Sequence, residues 1–146
     1  MKKLLAKKRD NKGFSLVELI VVILIMAVIA VALAPQVMKW VGTSKENTDK
    51  NNIGQIESAV NAGVADYMAK NDTAAVPALT LKCNGSLSIT AGTDAGAKGT
   101  LLSCIEEAMN KKYPTVQQNG SAYFEIKIET TGRVTVTIQG LPSTTP

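Results

Sequence analysis

Phe14 to Ala34 reads FSLVELIVVILIMAVIAVALA, and among these 21 residues only Ser15 and Glu18 are polar. Wound as an α-helix at about 1.5 Å per residue, the stretch matches the roughly 30 Å hydrocarbon core of a bilayer. No other part of the 146-residue chain offers an apolar run of that length. Lys2, Lys3, Lys7, Lys8, Arg9 and Lys12 stand just before it, with Asp10 as the single acid among residues 1–13. Basic flanks stay on the cytoplasmic side of a span. The expected topology therefore places residues 1–13 in the cytoplasm and the C-terminal bulk outside. The same cluster explains the formal charge of +4, since residues 14–146 carry 10 basic and 11 acidic side chains. A partner chosen by overall basicity, and sequence-specific nucleic acid in particular, is not expected.

A single-pass anchor and a cleaved secretory signal both account for an apolar run behind a basic flank. The signal reading meets Pro35 directly after the small-residue pair Ala32 and Ala34, a poor residue to follow such a cleavage. Neither reading explains Glu18. A carboxylate within an apolar span costs on the order of 2–3 kcal/mol, so it ordinarily has a partner or snorkels to water.

The context of that glutamate is Lys12-Gly13-Phe14-Ser15-Leu16-Val17-Glu18. A basic leader ending in glycine, an aromatic next, and a glutamate five residues beyond the glycine together resemble the processing motif of type IV prepilins and type II secretion pseudopilins. Pro35 falls 22 residues after Gly13, where many type IV pilins also carry proline. The resemblance covers about residues 7–60. It implies that a prepilin peptidase cuts between Gly13 and Phe14 and that the new Phe14 amine is methylated. It further implies that an assembly ATPase and its platform draw the subunit from the membrane into a helical homopolymer. Glu18 would then be neutralised by the Phe14 amine of a neighbouring subunit. One departure stands out: Ala27 occupies the position where many pilins have glycine. That weakens the expectation that the helix melts between this position and the kink-prone Pro35 on assembly.

Beyond the span the periodicity predicts more helix. Val37, Trp40 and Val41 share a face, and Ile53, Ile56, Val60, Val64, Tyr67 and Met68 form a stripe at three- and four-residue steps. Between them the polar run Gly42–Asn47 is a candidate bend or bulge. Residues 71–100 read as a loop region with one short strand, for which Leu79–Leu81 and Leu87–Ile89 are the candidates. Leu101–Lys112 reads as a short helix, capped near Gly99 and Thr100, with Leu102, Ile105 and Met109 on one face. Phe124–Glu129 and Arg133–Gln139 alternate apolar and polar residues around a Thr131-Gly132 turn, the pattern of a β-hairpin. Its apolar face, Phe124, Ile126 and Ile128 with Val134, Val136 and Ile138, is expected to cover the Ile53–Met68 stripe. The fold class is therefore α+β: a long N-terminal helix on a small antiparallel sheet. The organisation is a leader (1–13), a transmembrane and assembly helix (14–34), an amphipathic helix (35–70) and a β-rich domain (71–146).

An oxidising location for the C-terminal part predicts a disulfide between Cys83 and Cys104. Catalytic signals are missing. The chain has no histidine, no nucleophile elbow, no phosphate-binding loop and no CxxC pair. Glu106 and Glu107 point to different sides of a helix, and Thr93–Gly96 offers a single carboxylate, too few oxygens for Ca²⁺. Asn84-Gly85-Ser86 and Asn119-Gly120-Ser121 match an acceptor pattern for glycosylation but read as turns. Neither an enzyme nor a cofactor nor a metal site is expected. The sequence points to a structural subunit of the major-pilin type, in the cytoplasmic membrane before assembly and in a surface filament after it. A pseudopilin of a secretion or DNA-uptake system is the alternative.

Overall fold

A computed structural model describes residues 13–94 and 100–141. Helix α1 runs Leu16–Asn71 and is unbroken at Pro35 and across Gly42–Asn47. The bend expected at that polar run is absent, and local pairs support helix there: Thr48 Oγ1 donates to the Ser44 carbonyl at 2.9 Å and Lys50 meets Glu46 at 2.7 Å. The helix ends where the sequence suggests. Asp72 turns to a φ of 51° and the Thr73 amide reaches back to the Met68 carbonyl at 3.2 Å, a left-handed C-terminal stop.

The chain divides after Trp40 into two units. The first contains the apolar part of α1, whose large side chains are all exposed: Leu16 at 72 % and Trp40 at 67 % mark its two ends. Exposed apolar residues continue past Ala34 through Val37, Met38 and Trp40.

In the second unit, strands β1 (Leu79–Cys83) and β2 (Leu87–Ala91) form a hairpin, so the loop-rich region holds two strands. Helix α2 (Leu101–Ala108) follows, then β3 (Tyr123–Ile128) and β4 (Val134–Gln139). The antiparallel sheet has the order β2-β1-β3-β4, with β3 paired in register to both neighbours: Ile126 faces Leu81 on one side and Val136 on the other. Period-two alternation then sends Phe124, Ile126, Ile128, Leu79, Leu81, Cys83 and Val136 to one face. They share a single core with Ile56, Val60, Val64 and Tyr67 of α1. The opposite face is polar, with the Lys82 ammonium 4.4 Å over the Tyr123 ring and Glu125 held by Lys127 and Gln139.

Two glycines set how closely elements meet α1. A methyl group on Gly63 would lie 2.7 Å from the Ile105 backbone, so α2 crosses α1 at that point. Gly132, with a φ of 81°, turns β3 into β4 against Met68 and Val64. Helix α2 is shorter than the sequence implied. Asn110 and Lys111 take φ of 50° and 54°, and their amides return to the Glu107 and Glu106 carbonyls. Its buried face is Leu101, Cys104, Ile105 and Met109, leaving Leu102 at the margin.

Two carboxylates organise loops in ways the sequence reading missed. Asp49, fully buried on α1, accepts from the Gln117 amide at 2.7 Å and from the Gln118 amide and side chain at 3.2 and 3.1 Å. Asp94 caps α2 from outside, taking the Leu101 and Leu102 amides at 2.7 and 2.9 Å, while Thr100 caps it as expected by accepting from the Ser103 amide.

Gly63→Val is expected to lower stability by about 1–3 kcal/mol through overpacking. Asp49→Ala is expected to lower it by about 1–3 kcal/mol, because the Gln117 and Gln118 amides lose the buried carboxylate that holds them. Denaturant titration of the purified protein followed by circular dichroism measures both, with Lys45→Ala as an unaffected control.

Candidate functional site

Gly13, Phe14 and Ser15 precede the first helical residue and are exposed. Phe14 is 84 % exposed, and a side chain on Gly13 would meet no described residue within 4 Å. The Gly13–Phe14 bond thus lies on open, non-helical backbone. A peptide bond there is available to an enzyme as a bond inside an intact helix is not. Residues 1–12, the rest of the leader read from the sequence, lie outside the described residues.

The helix begins at Leu16 because Ser15 caps it. Its hydroxyl accepts from the Val17 amide at 3.4 Å and its carbonyl accepts from the Leu19 amide at 3.2 Å. Glu18 completes the motif: its Oε2 accepts from the Ser15 amide at 2.9 Å. Ser15-x-x-Glu18 is therefore a capping box, in which serine and glutamate reciprocally satisfy donors at the start of the helix. The S-x-x-E spacing is visible in the sequence, so this role of Ser15 was legible and was overlooked. The positive end of the helix dipole also favours a carboxylate at this place.

This geometry changes the account of Glu18. Its carboxylate is not without a partner in the isolated subunit, because a neutral amide already occupies one oxygen. The charge itself is not cancelled, since no cation among the described residues pairs with it. Cleavage after Gly13 would leave the Ser15 amide in place and create an ammonium on Phe14, the preceding residue. Pro35 lies inside α1, far along the chain from this end, and the helix from Ala27 to Pro35 is intact in this subunit.

The expected disulfide is not formed: Cys83 and Cys104 are both free thiols. They face different surroundings. Cys83, on the inner face of β1, directs its Sγ to the Pro114 carbonyl at 3.7 Å. Cys104, on α2, borders Asp66 and Lys70 of α1, which themselves pair at 2.7 Å. Burial pushes the Cys83 thiol up to about 11. Burial also raises that of Cys104, helped by its contact with the Asp66 carboxylate.

A capped apolar helix with an open glycine–aromatic bond before it, carried by a small α+β domain, defines a prepilin-type subunit. Residues 8–34 match the family described as the prokaryotic N-terminal methylation motif. The chain is 31 % identical over 132 residues to prepilin peptidase-dependent protein A of Clostridium perfringens (strain 13 / Type A), covering 90 % of this chain and 88 % of that protein. No solved structure matches it. The chain belongs to the type IV pilin and pseudopilin family.

Ser15→Ala is expected to cost the helix start about 0.5–2 kcal/mol, read as faster hydrogen exchange at the Val17 amide in micelles. Mass measured with and without reductant should be the same. Because Cys83 titrates near 9.0 when unfolded and near 11 when folded, the unfolded chain loses its proton first. Stability should therefore fall as pH rises from about 9 to about 11. Cys83→Ala should reduce that slope in pH-dependent denaturant titrations; Cys104, Tyr113 and Lys70, which folding also raises, share the remainder.

Proposed function

We propose that this chain is a structural subunit of the major-pilin type, cut between Gly13 and Phe14 by a prepilin peptidase and polymerised through its N-terminal helix. One observation carries the reading: every large apolar side chain from Leu16 to Val41 is exposed, while the capping box fixes Glu18 at the start of that helix. Lipid covers such a surface before assembly, and the helices of neighbouring subunits cover it afterwards. The exchange is nearly neutral in hydrophobic terms, because hydrocarbon chains and a helix bundle are about equally apolar. Polar contacts must therefore set the order of assembly.

The mature amine of Phe14 supplies such a contact. Brought to Glu18 of a neighbour in a low-dielectric bundle, it offsets a charge that the Ser15 amide only solvates. A subunit that has not been cut has no such amine and cannot enter in register. The name of the C. perfringens relative, dependent on prepilin peptidase, supports the processing step. Methylation of Phe14 follows the motif at residues 8–34. The role is structural rather than catalytic. An assembly ATPase and its platform would do the mechanical work, moving the subunit from the cytoplasmic membrane to the cell surface. A single four-stranded sheet among the described residues supports a repeating subunit over a specialised one.

N-terminal sequencing of the protein from its native cell is expected to begin at Phe14; a chain still starting at Met1 overturns the proposal. Gly13→Leu should leave uncut precursor in the membrane. Glu18→Val should be cut normally yet lower fibre yield at least tenfold in a strain lacking the wild-type subunit, the factor that corresponds to roughly 1.4 kcal/mol per added subunit. Shear-released fibres quantified by immunoblot give the yield. Fibres at wild-type yield from Glu18→Val would remove the charge-pairing step while leaving the processing step standing.

A further inference from the structure

The tripeptide Asn-Gly-Ser occurs twice, at Asn84–Ser86 and at Asn119–Ser121. The asparagines have the same two residues after them, so a difference in their chemistry comes from the fold or from the residues before them. Asparagine followed by glycine is chemically labile, because the glycine amide nitrogen has no side chain to hinder its approach to the asparagine carboxamide.

The fold treats the two copies differently. The Asn119 carboxamide is clamped at both ends: Nδ2 donates to the Gly140 carbonyl at 3.1 Å and Oδ1 accepts from the Ser121 amide at 3.1 Å. Attack at its Cγ requires that carbon to become tetrahedral and Nδ2 to leave, and both hydrogen bonds resist this. Asn84 sits in the turn between β1 and β2. Its backbone amide donates to the Ser86 carbonyl at 3.1 Å, and among the described residues no hydrogen bond holds its side chain. Gly85 takes a φ of 71°, and a side chain there would touch only the Thr115 methyl at 3.5 Å, so the nitrogen is uncrowded.

We propose that Asn84 is a site of spontaneous covalent modification and that Asn119 is protected by its clamp. The Gly85 nitrogen forms a bond to Asn84 Cγ and gives up its proton. The Cγ–Nδ2 bond breaks and ammonia departs, leaving a five-membered cyclic imide. Water then adds to either imide carbonyl, and ring opening yields aspartate or isoaspartate. No electrons are transferred and water is the only co-reactant.

The consequence falls on one strand. Isoaspartate routes the main chain through the former side chain and lengthens it by a methylene inside the turn that closes the Cys83–Leu87 pair. Among the described residues β2 is an edge strand paired to β1 alone, so lost register there is not corrected by a second neighbour. The modified chain therefore gains a negative charge and a looser edge at this corner of the sheet.

The test uses the full-length protein in detergent, held at mildly alkaline pH and sampled over time by peptide mapping with mass spectrometry. In the folded protein Asn84 should convert about tenfold faster than Asn119, the factor set by breaking the clamp. In denaturant the two should convert at the same rate. Equal folded-state rates, faster loss at Asn119, or no conversion at Asn84 overturns the proposal. So does a difference that persists in denaturant, which would assign it to residues before each asparagine. Asn84→Gln should abolish the signal at this turn and leave Asn119 unchanged. Hydrogen exchange across Leu87–Ala91 should quicken in the isoaspartate fraction; unchanged exchange there overturns the effect on β2.

Discussion

An apolar helix surface has to be covered, and in this protein the cover changes along α1. From Ile53 to Met68 the apolar residues make one stripe, and a four-stranded sheet with a short helix is enough to bury it. From Leu16 to Val41 they surround the helix and, among the described residues, stay exposed. The rest of the molecule follows from this asymmetry. The sheet needs one apolar face and gets it by strict alternation. The other face, free of that demand, carries Lys82, Glu125, Lys127 and Gln139.

At the start of α1 the same economy operates on polar groups. The first turn of any helix presents amides without partners, and beside an apolar run those are costly. Ser15 and Glu18 answer that need between themselves. The carboxylate is therefore oriented by its own helix. A glutamate pointing along a fixed direction gives a specific geometry for a cation to meet, which a freely rotating side chain would not.

Much of this was legible in the chain. The apolar run and the two-residue periodicity on either side of Thr131-Gly132 each led to the right element, and the context around Gly13 to the family that residues 8–34 match, because each rests on a local pattern. The failures were of two kinds. Gly42–Asn47 suggested a bend, but the polar residues there form helical i,i+4 pairs such as Glu46–Lys50, and the apolar-pattern reading gave those no weight. Asp49, Asp94 and the cysteines depend on what folding brings near them. Asp49 lies 68 residues before Gln117, whose amide it holds, and no spacing announces that. For the cysteines the sequence offers only a compartment. Compartment permits a bond but says nothing of whether two sulfurs face each other. Ser15 is the exception, since its capping signature stood in the sequence beside the glutamate that drew attention.

With Cys83 and Cys104 both reduced, the C-terminal unit has no covalent cross-link. Its closure relies on aliphatic contacts, ladder hydrogen bonds and the Asp49 clamp, all of which break and re-form without chemistry. Pulled by its ends, such a domain would extend through its whole contour rather than stopping at a sulfur bridge. It could then recoil without an oxidant or an isomerase, a spring whose recovery depends on nothing but the chain.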